Sequence, residues 1–157
     1  MSEVHKERRE RSGVDFHTQA ESIYVEVSTL VHSEKVVPKS YRFTHALPLV
    51  DMARSMLYNI NRAQVFYPNT AHNVQKRKDY LALAIADCEQ ISVEFGLLPR
   101  LGLSPNMNRF EQITDMIEDE IDQLRRVKNS VKLTGRESVE DRISDLEEQI
   151  EELRALL

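Results

Sequence analysis

Three groups of side chains in this 157-residue sequence are of types that carry chemistry. The first is the five histidines, His5, His17, His32, His45 and His72, which are potential metal ligands or proton carriers. No two stand four residues apart, and none follows a glutamate by three. The Glu-x-x-His pattern of di-iron helical bundles is therefore absent. They read as surface or rim residues, and neither a metal nor a cofactor is expected. The second is Cys88, the single cysteine, which has no intrachain disulfide partner. It lies in an apolar helical run and reads as a small buried hydrophobe in a reducing compartment. The third is a row of carboxylates, Glu111, Asp115, Glu118, Asp119, Glu120 and Asp122. Paired carboxylates do acid–base work only in a sheltered pocket with shifted pKa values. These lie mostly off the apolar stripe and are expected on the solvated face. Arg125, Arg126, Lys128 and Lys132 follow them, the ordinary charge order along a helix dipole. With no phosphate loop and no catalytic constellation, the chain is not expected to be an enzyme.

Basic residues offer a different chemistry. Lys76-Arg77-Lys78 sits near the start of a helix, where positive charge opposes the macrodipole. A local conflict of this kind points to function. Arg62, near the end of the preceding helix, should share that end of the molecule in an antiparallel pair. Lys39 and Arg42 should lie toward the other end. Phosphate contact by these clusters is one reading, and solubility charge the other.

The elements that would position these residues are helical. Asp15 to His32 is one helix, with Asp15 as N-cap and Phe16, Ala20, Ile23, Val27 and Leu30 on one face. A second opens at Pro38 and runs to about Phe66, with the stripe Phe43, Leu47, Val50, Ala53, Leu57, Ile60 and Ala63. Pro48 should kink it. A third spans about Thr70 to Leu98, with Leu81, Ala84, Cys88, Ile91, Phe95 and Leu98. Leu97 to Leu103 is a broken apolar connection. The fourth starts at Ser104-Pro105 and runs to about Leu133 through Phe110, Ile113, Ile117, Ile121, Leu124, Val127 and Val131. Tyr24, Leu49, Met52, Met56, Tyr80, Leu83 and Val93 fall outside these stripes, so they either widen the core or form a second face. Short loops favour an all-α, antiparallel up-down-up-down four-helix bundle over residues 13–133.

Residues 1–12 read as a flexible charged arm. At the other end, Ser138 and Asp141 resemble a capping box. Val139, Ile143, Leu146, Ile150, Leu153 and Leu157 then step by four and three. With Ile143 and Ile150 at a, and Leu146 and Leu153 at d, residues 136–157 have the β-branched-a, Leu-d pattern of parallel dimers. Arg142 at g then faces Glu147 at the partner's e. Ile143, Leu146, Ile150, Leu153 and Leu157 are the candidate oligomerisation residues. Folding back of this helix on the bundle is the alternative.

Charge is divided unevenly. Residues 136–157 hold three basic and eight acidic side chains, so the formal net charge of −5 sits in the tail and the body is balanced. Apolar residues make up 41% and charged residues 30%, a soluble balance with many solvated helix faces. No apolar run approaches the length that spans a bilayer. The charged N-terminus has no apolar signal region, so a cytoplasmic protein is expected.

Val37-Pro38-Lys39 with Tyr41-Arg42-Phe43, the stripe through Ile60 and Ala63, Arg77-Lys78-Asp79-Tyr80-Leu81 with Ala84, and the helix from Phe110 to Val131 form one further pattern. In these residues the chain resembles the accessory variability protein (Avd) of diversity-generating retroelements. It also resembles the wider four-helix-bundle family that includes proteins encoded in 23S ribosomal RNA intervening sequences. The resemblance covers about two thirds of the chain. It implies a homopentamer that binds a reverse transcriptase and its template RNA. Lys39, Arg42, Arg77 and Lys78 would be nucleic-acid or partner contacts, with Arg62 and Lys76 beside them. The expected function is that of a non-enzymatic accessory protein to a nucleic-acid-processing partner. The alternative is a protein–protein adaptor that uses the C-terminal heptad helix and binds neither RNA nor DNA.

Overall fold

The computed structural model describes residues 15–103 and 107–157. The expected arm at 1–12 and the Ser104-Pro105 helix start lie outside them. The described residues are helical, without a strand. Five α-helices follow in order: α1 (Phe16–His32), α2 (Leu47–Val65), α3 (Ala71–Leu97), α4 (Met107–Ser130) and α5 (Val139–Ala155). No helix among the described residues is long and apolar enough to cross a membrane.

α1 packs on α2 and α4, and α3 packs on the same two helices. In each of these pairs the early residues of one helix meet the late residues of the other. Tyr24 receives a bond from Arg54 while His17 bonds Asn61. Ser55 and Asn59 both bond Asp87, and Phe66 stacks on Tyr80. Glu89 accepts from Arg125, and Phe95 meets Phe110. Glu26 accepts from Arg109 while Gln19 donates to the Met116 carbonyl.

The core lies between these four helices. Ile23, Leu49, Met56, Ile60, Leu81, Ile91, Phe95, Leu98, Ile113, Ile117 and Leu124 are fully buried. Removing each such side chain from water contributes about 1.5–3 kcal/mol. Cys88 is also fully buried, with Sγ 3.1 Å from Met56 Sδ. Burial pushes its thiol pKa up, so it stays protonated and inert.

The start of the second helix differs from expectation. Pro38 precedes a 3-10 turn (Lys39–Tyr41), a π-helical turn (Arg42–Ala46) follows, and only then does α2 begin. Pro48 is the cause. It has no N–H to give the carbonyl four residues back, and its ring crowds that position. The backbone widens just ahead of it, and the Leu47 N–H bonds the Arg42 carbonyl across five residues. A wider turn rotates everything before it relative to a 3.6-residue extrapolation. Phe43, expected on the core stripe, is consequently 79% exposed, and Leu47 is also exposed. Leu49 and Met56, which the stripe left out, are core residues. Val50 and Leu57 are half-buried against the core. Of the other residues outside the expected stripes, Tyr24, Met52 and Tyr80 pack against the core, whereas Leu83 and Val93 are exposed.

Helix ends follow local chemistry. The Thr70 hydroxyl accepts from the Asn73 N–H and caps α3. Asp15 precedes α1 without a side-chain capping bond. After α3, a 3-10 turn (Pro99–Leu101) leads to Gly102 at φ +79°, and the Leu103 N–H returns to the Leu98 carbonyl at 3.1 Å. Glycine takes that left-handed conformation without a Cβ penalty. Ser138 and Asp141 form the expected capping box on α5.

The rotated face makes a direct test. Leu49→Ala should lower unfolding free energy by about 2–5 kcal/mol. Phe43→Ala should change it by less than about 0.5 kcal/mol. Urea denaturation of both variants checks the pair, and a large loss at Phe43 would refute the π-turn account.

Candidate functional site

The seam between α5 and the start of α3 is built from a single hydroxyl outward. Thr70 Oγ1 accepts the Asn73 N–H at 3.1 Å and donates to Asp145 Oδ1 at 2.7 Å. Both residues are buried. Asp145 Oδ2 accepts from Gln149 at 3.3 Å. Two turns farther along, Lys76 Nζ bonds Glu152 Oε1 at 2.8 Å. That bond raises the Lys76 pKa and lowers that of Glu152. Between these anchors lies His72, on the first turn of α3. One of its ring nitrogens and one carboxylate oxygen each from Glu148 and Glu152 lie within 4.8 Å of one another.

This docking uses the polar side of α5. Asp145, Glu148, Gln149 and Glu152 face the body, while the heptad stripe does not. Val139, Ile143, Leu146, Ile150, Leu153 and Leu157 are all exposed, with Ile143 at 51% and Leu153 at 65%. The alternative reading of the tail, folding back on the chain, is the arrangement observed, and it leaves the heptad stripe uncovered.

The basic residues separate into two places. Lys39 and Arg42 both approach Glu34, at 3.4 and 3.7 Å. Arg62 lies at the far end of α2, with its guanidinium 6.0 Å from the Tyr58 ring centroid. α2 holds 19 residues and so is about 28 Å long. At its C-terminal end, Arg77 Nη1 donates to the Phe66 carbonyl at 3.4 Å. A cation there is favourable for α2, whose last carbonyls carry negative partial charge. Lys76 and Arg77 therefore have local partners that offset the conflict seen at the head of α3. Lys78 is half-buried. Arg77 also lines a cleft of about 560 Å³ with Lys132, Ser130 and Thr134, beside the exposed Tyr67 ring. Tyr67 and Lys132 were not among the expected site residues. They lie more than sixty residues apart, and only the fold brings them together.

The carboxylate row of α4 is solvated with one exception. Glu111, Asp115, Glu118, Asp119 and Asp122 are exposed, but Glu120 is 0% exposed and neither of its oxygens has a hydrogen-bond partner among the described residues. The expectation of a wholly solvated row fails there, and the reason is periodic. Ile113, Ile117, Glu120, Leu124, Val127 and Val131 step by four, three, four, three and four, so Glu120 shares the buried stripe. Nearby, Gln19 donates to the Met116 carbonyl and accepts from Gln123, which satisfies its own amide. Burial, and secondarily the charge of Asp15, push the Glu120 pKa up to about 8.

No family model, no curated protein and no solved structure matches this chain. Function must therefore be argued from these surfaces.

Glu120 yields a pH prediction. Its folded-state pKa lies above the ordinary carboxyl value, so the folded chain holds a proton that the unfolded chain releases. Stability from this group is complete below about pH 4.5 and declines as pH rises toward 8. The loss at pH 7 is on the order of 3 kcal/mol. Glu120→Gln should flatten the fall in melting temperature between pH 5 and pH 8, measured by circular dichroism. An unchanged slope in that variant would show that the carboxyl is not the source.

Proposed function

We propose that this chain is a non-enzymatic helical adaptor that associates through its C-terminal helix, first of all with a second copy of itself. α1 to α4 form its body as an antiparallel up-down-up-down four-helix bundle. The observation that carries this reading is the orientation of α5, held by polar groups with its apolar stripe outward. An amphipathic helix used only to complete a fold would turn that stripe inward. Isoleucine at a and leucine at d suit a two-stranded parallel pairing. The Arg142 and Glu147 side chains, at g and e, supply complementary charge between the two copies. Cys88 is buried and inert, and five carboxylates of α4 lie on the solvated face, a setting that favours binding over catalysis. The single cysteine, without an intrachain disulfide partner, favours the cytoplasm.

Replacing Ile150 and Leu153 together by glutamate should convert the associated species to monomer, read as solution mass by light scattering. Helical content should be unchanged, because both side chains are exposed. A native chain that is monomeric at high concentration would end this reading, as would association that survives the double substitution.

A second reading rests on the cleft at the end of α2 and on the resemblance to Avd. Arg77 and Lys132 set two cations beside the Tyr67 ring, a combination that suits a phosphate backbone with a stacked base. In this reading the chain is an accessory protein to a reverse transcriptase and its RNA, assembled as the pentamer that the resemblance implies. Binding of single-stranded RNA should weaken with salt and should fall at least about tenfold on charge reversal at Arg77 and Lys78. Filter binding at two salt concentrations measures this. Affinity that ignores the charge reversal would sink the RNA reading and leave the adaptor standing.

A further inference from the structure

We propose that His72, Glu148 and Glu152 bind a divalent transition-metal cation of the zinc class, fastening α5 to α3. Three observations converge on this site. The first is the donor set. One imidazole and two carboxylates are offered from two helices, with one ligand atom each inside a 4.8 Å triangle. Imidazole nitrogen with carboxylate oxygen suits zinc and its neighbours, whereas calcium and magnesium prefer oxygen alone. Zinc bonds to nitrogen and oxygen are about 2.0–2.2 Å, so tetrahedral donors stand roughly 3.4 Å apart. Small torsions of the two long glutamate side chains close the difference.

The second is His72 itself. Its Nε2 is buried and has no hydrogen-bond partner among the described residues. A buried polar atom ordinarily has one, and a cation held between the helices would satisfy it. The third is preorganisation. Glu148 and Glu152 are four residues apart and share one face of α5. The buried Thr70–Asp145 bond fixes that face one turn away, at 2.7 Å. Two carboxylates against the single ammonium of Lys76 leave the pocket net negative before metal arrives.

Lys76 is the competitor. It occupies Glu152 Oε1 at 2.8 Å, which leaves Oε2 of the same carboxylate for a cation. Its positive charge nearby opposes metal entry. Three protein ligands leave the fourth position to water or to a donor from another molecule. Local spacing rules miss such a site, because His72 and Glu148 are far apart in sequence and neither forms a ligand pair with a nearby histidine. The site stands independently of self-association through the heptad stripe.

The test uses the full chain after chelator treatment. Zinc is titrated by calorimetry, and cobalt(II) by its visible absorption. One equivalent per chain should bind. His72→Ala and Glu148→Gln should each weaken binding by at least about tenfold, a change of about 1.4 kcal/mol in affinity. Both variants should keep the native circular dichroism spectrum. Lys76→Met should tighten binding, because it removes the competing charge. His45→Ala, remote from the seam, should leave it unchanged. Absence of saturable binding at about millimolar metal would overturn the proposal. So would zinc affinity that survives loss of both His72 and Glu148, or that weakens in Lys76→Met.

Discussion

The hydroxyl of Thr70 sets the geometry on which the functional surfaces depend. As acceptor it closes the first turn of α3, and as donor it holds the buried carboxylate of Asp145. A capping hydroxyl of this kind contributes about 1 kcal/mol. A buried charged acceptor deprived of its donor costs about 1–3 kcal/mol or more. The bond therefore outweighs the neighbouring Lys76–Glu152 pair, whose partners are partly exposed and whose contribution is at most about 1 kcal/mol. It also decides which side of α5 meets the body. Because Asp145 is at position c of the heptad, docking through it leaves a and d free.

Charge distribution follows from the same contact. The tail carries the whole formal excess of acid, and it lies against the basic head of α3. Three cations near a helix N-terminus looked misplaced when that helix was considered alone. With Glu148 and Glu152 opposite, and with the C-terminal carbonyls of α2 beside Arg77, the local field is largely compensated. Any contact with phosphate would then rest on Lys132, outside this compensation, with Arg77 beside it in the Tyr67 cleft already partly engaged. The position is weaker for nucleic-acid affinity than three free cations would be.

Much of the fold was legible because period and punctuation agree. The α1, α3 and α5 boundaries fall within a residue or two of the apolar stripes and their caps, and Ser138 with Asp141 forms its box. Extrapolation at 3.6 residues per turn puts Phe43 on the core stripe but does not survive a π-turn, and Pro48 alone announces the disturbance without its phase. Glu120 is legible in its spacing, but its type argues for solvent, because an unpaired carboxylate is costly to bury. The seam was not legible. Thr70 and Asp145, or His72 and Glu148, meet through tertiary packing, and no rule of local spacing joins residues more than seventy positions apart.

The energetics of α5 decide what kind of association it supports. Ile143, Leu146, Ile150 and Leu153 are about half to two-thirds exposed and Leu157 wholly so, and completing their burial would yield about 1 kcal/mol for each side chain. Five of them on each of two copies supply on the order of 10 kcal/mol. Lost rotational and translational freedom costs about 4–15 kcal/mol. The two terms nearly balance, so pairing through less than three heptads depends on concentration and on how rigidly each helix is presented. A helix that must be ordered at the moment of association adds its own entropic cost. The Thr70–Asp145 bond orders α5 beforehand, and a cation bridging His72 to Glu148 and Glu152 would order it further. Rigidity at the polar seam therefore strengthens association at the apolar stripe, although the two surfaces share no residue.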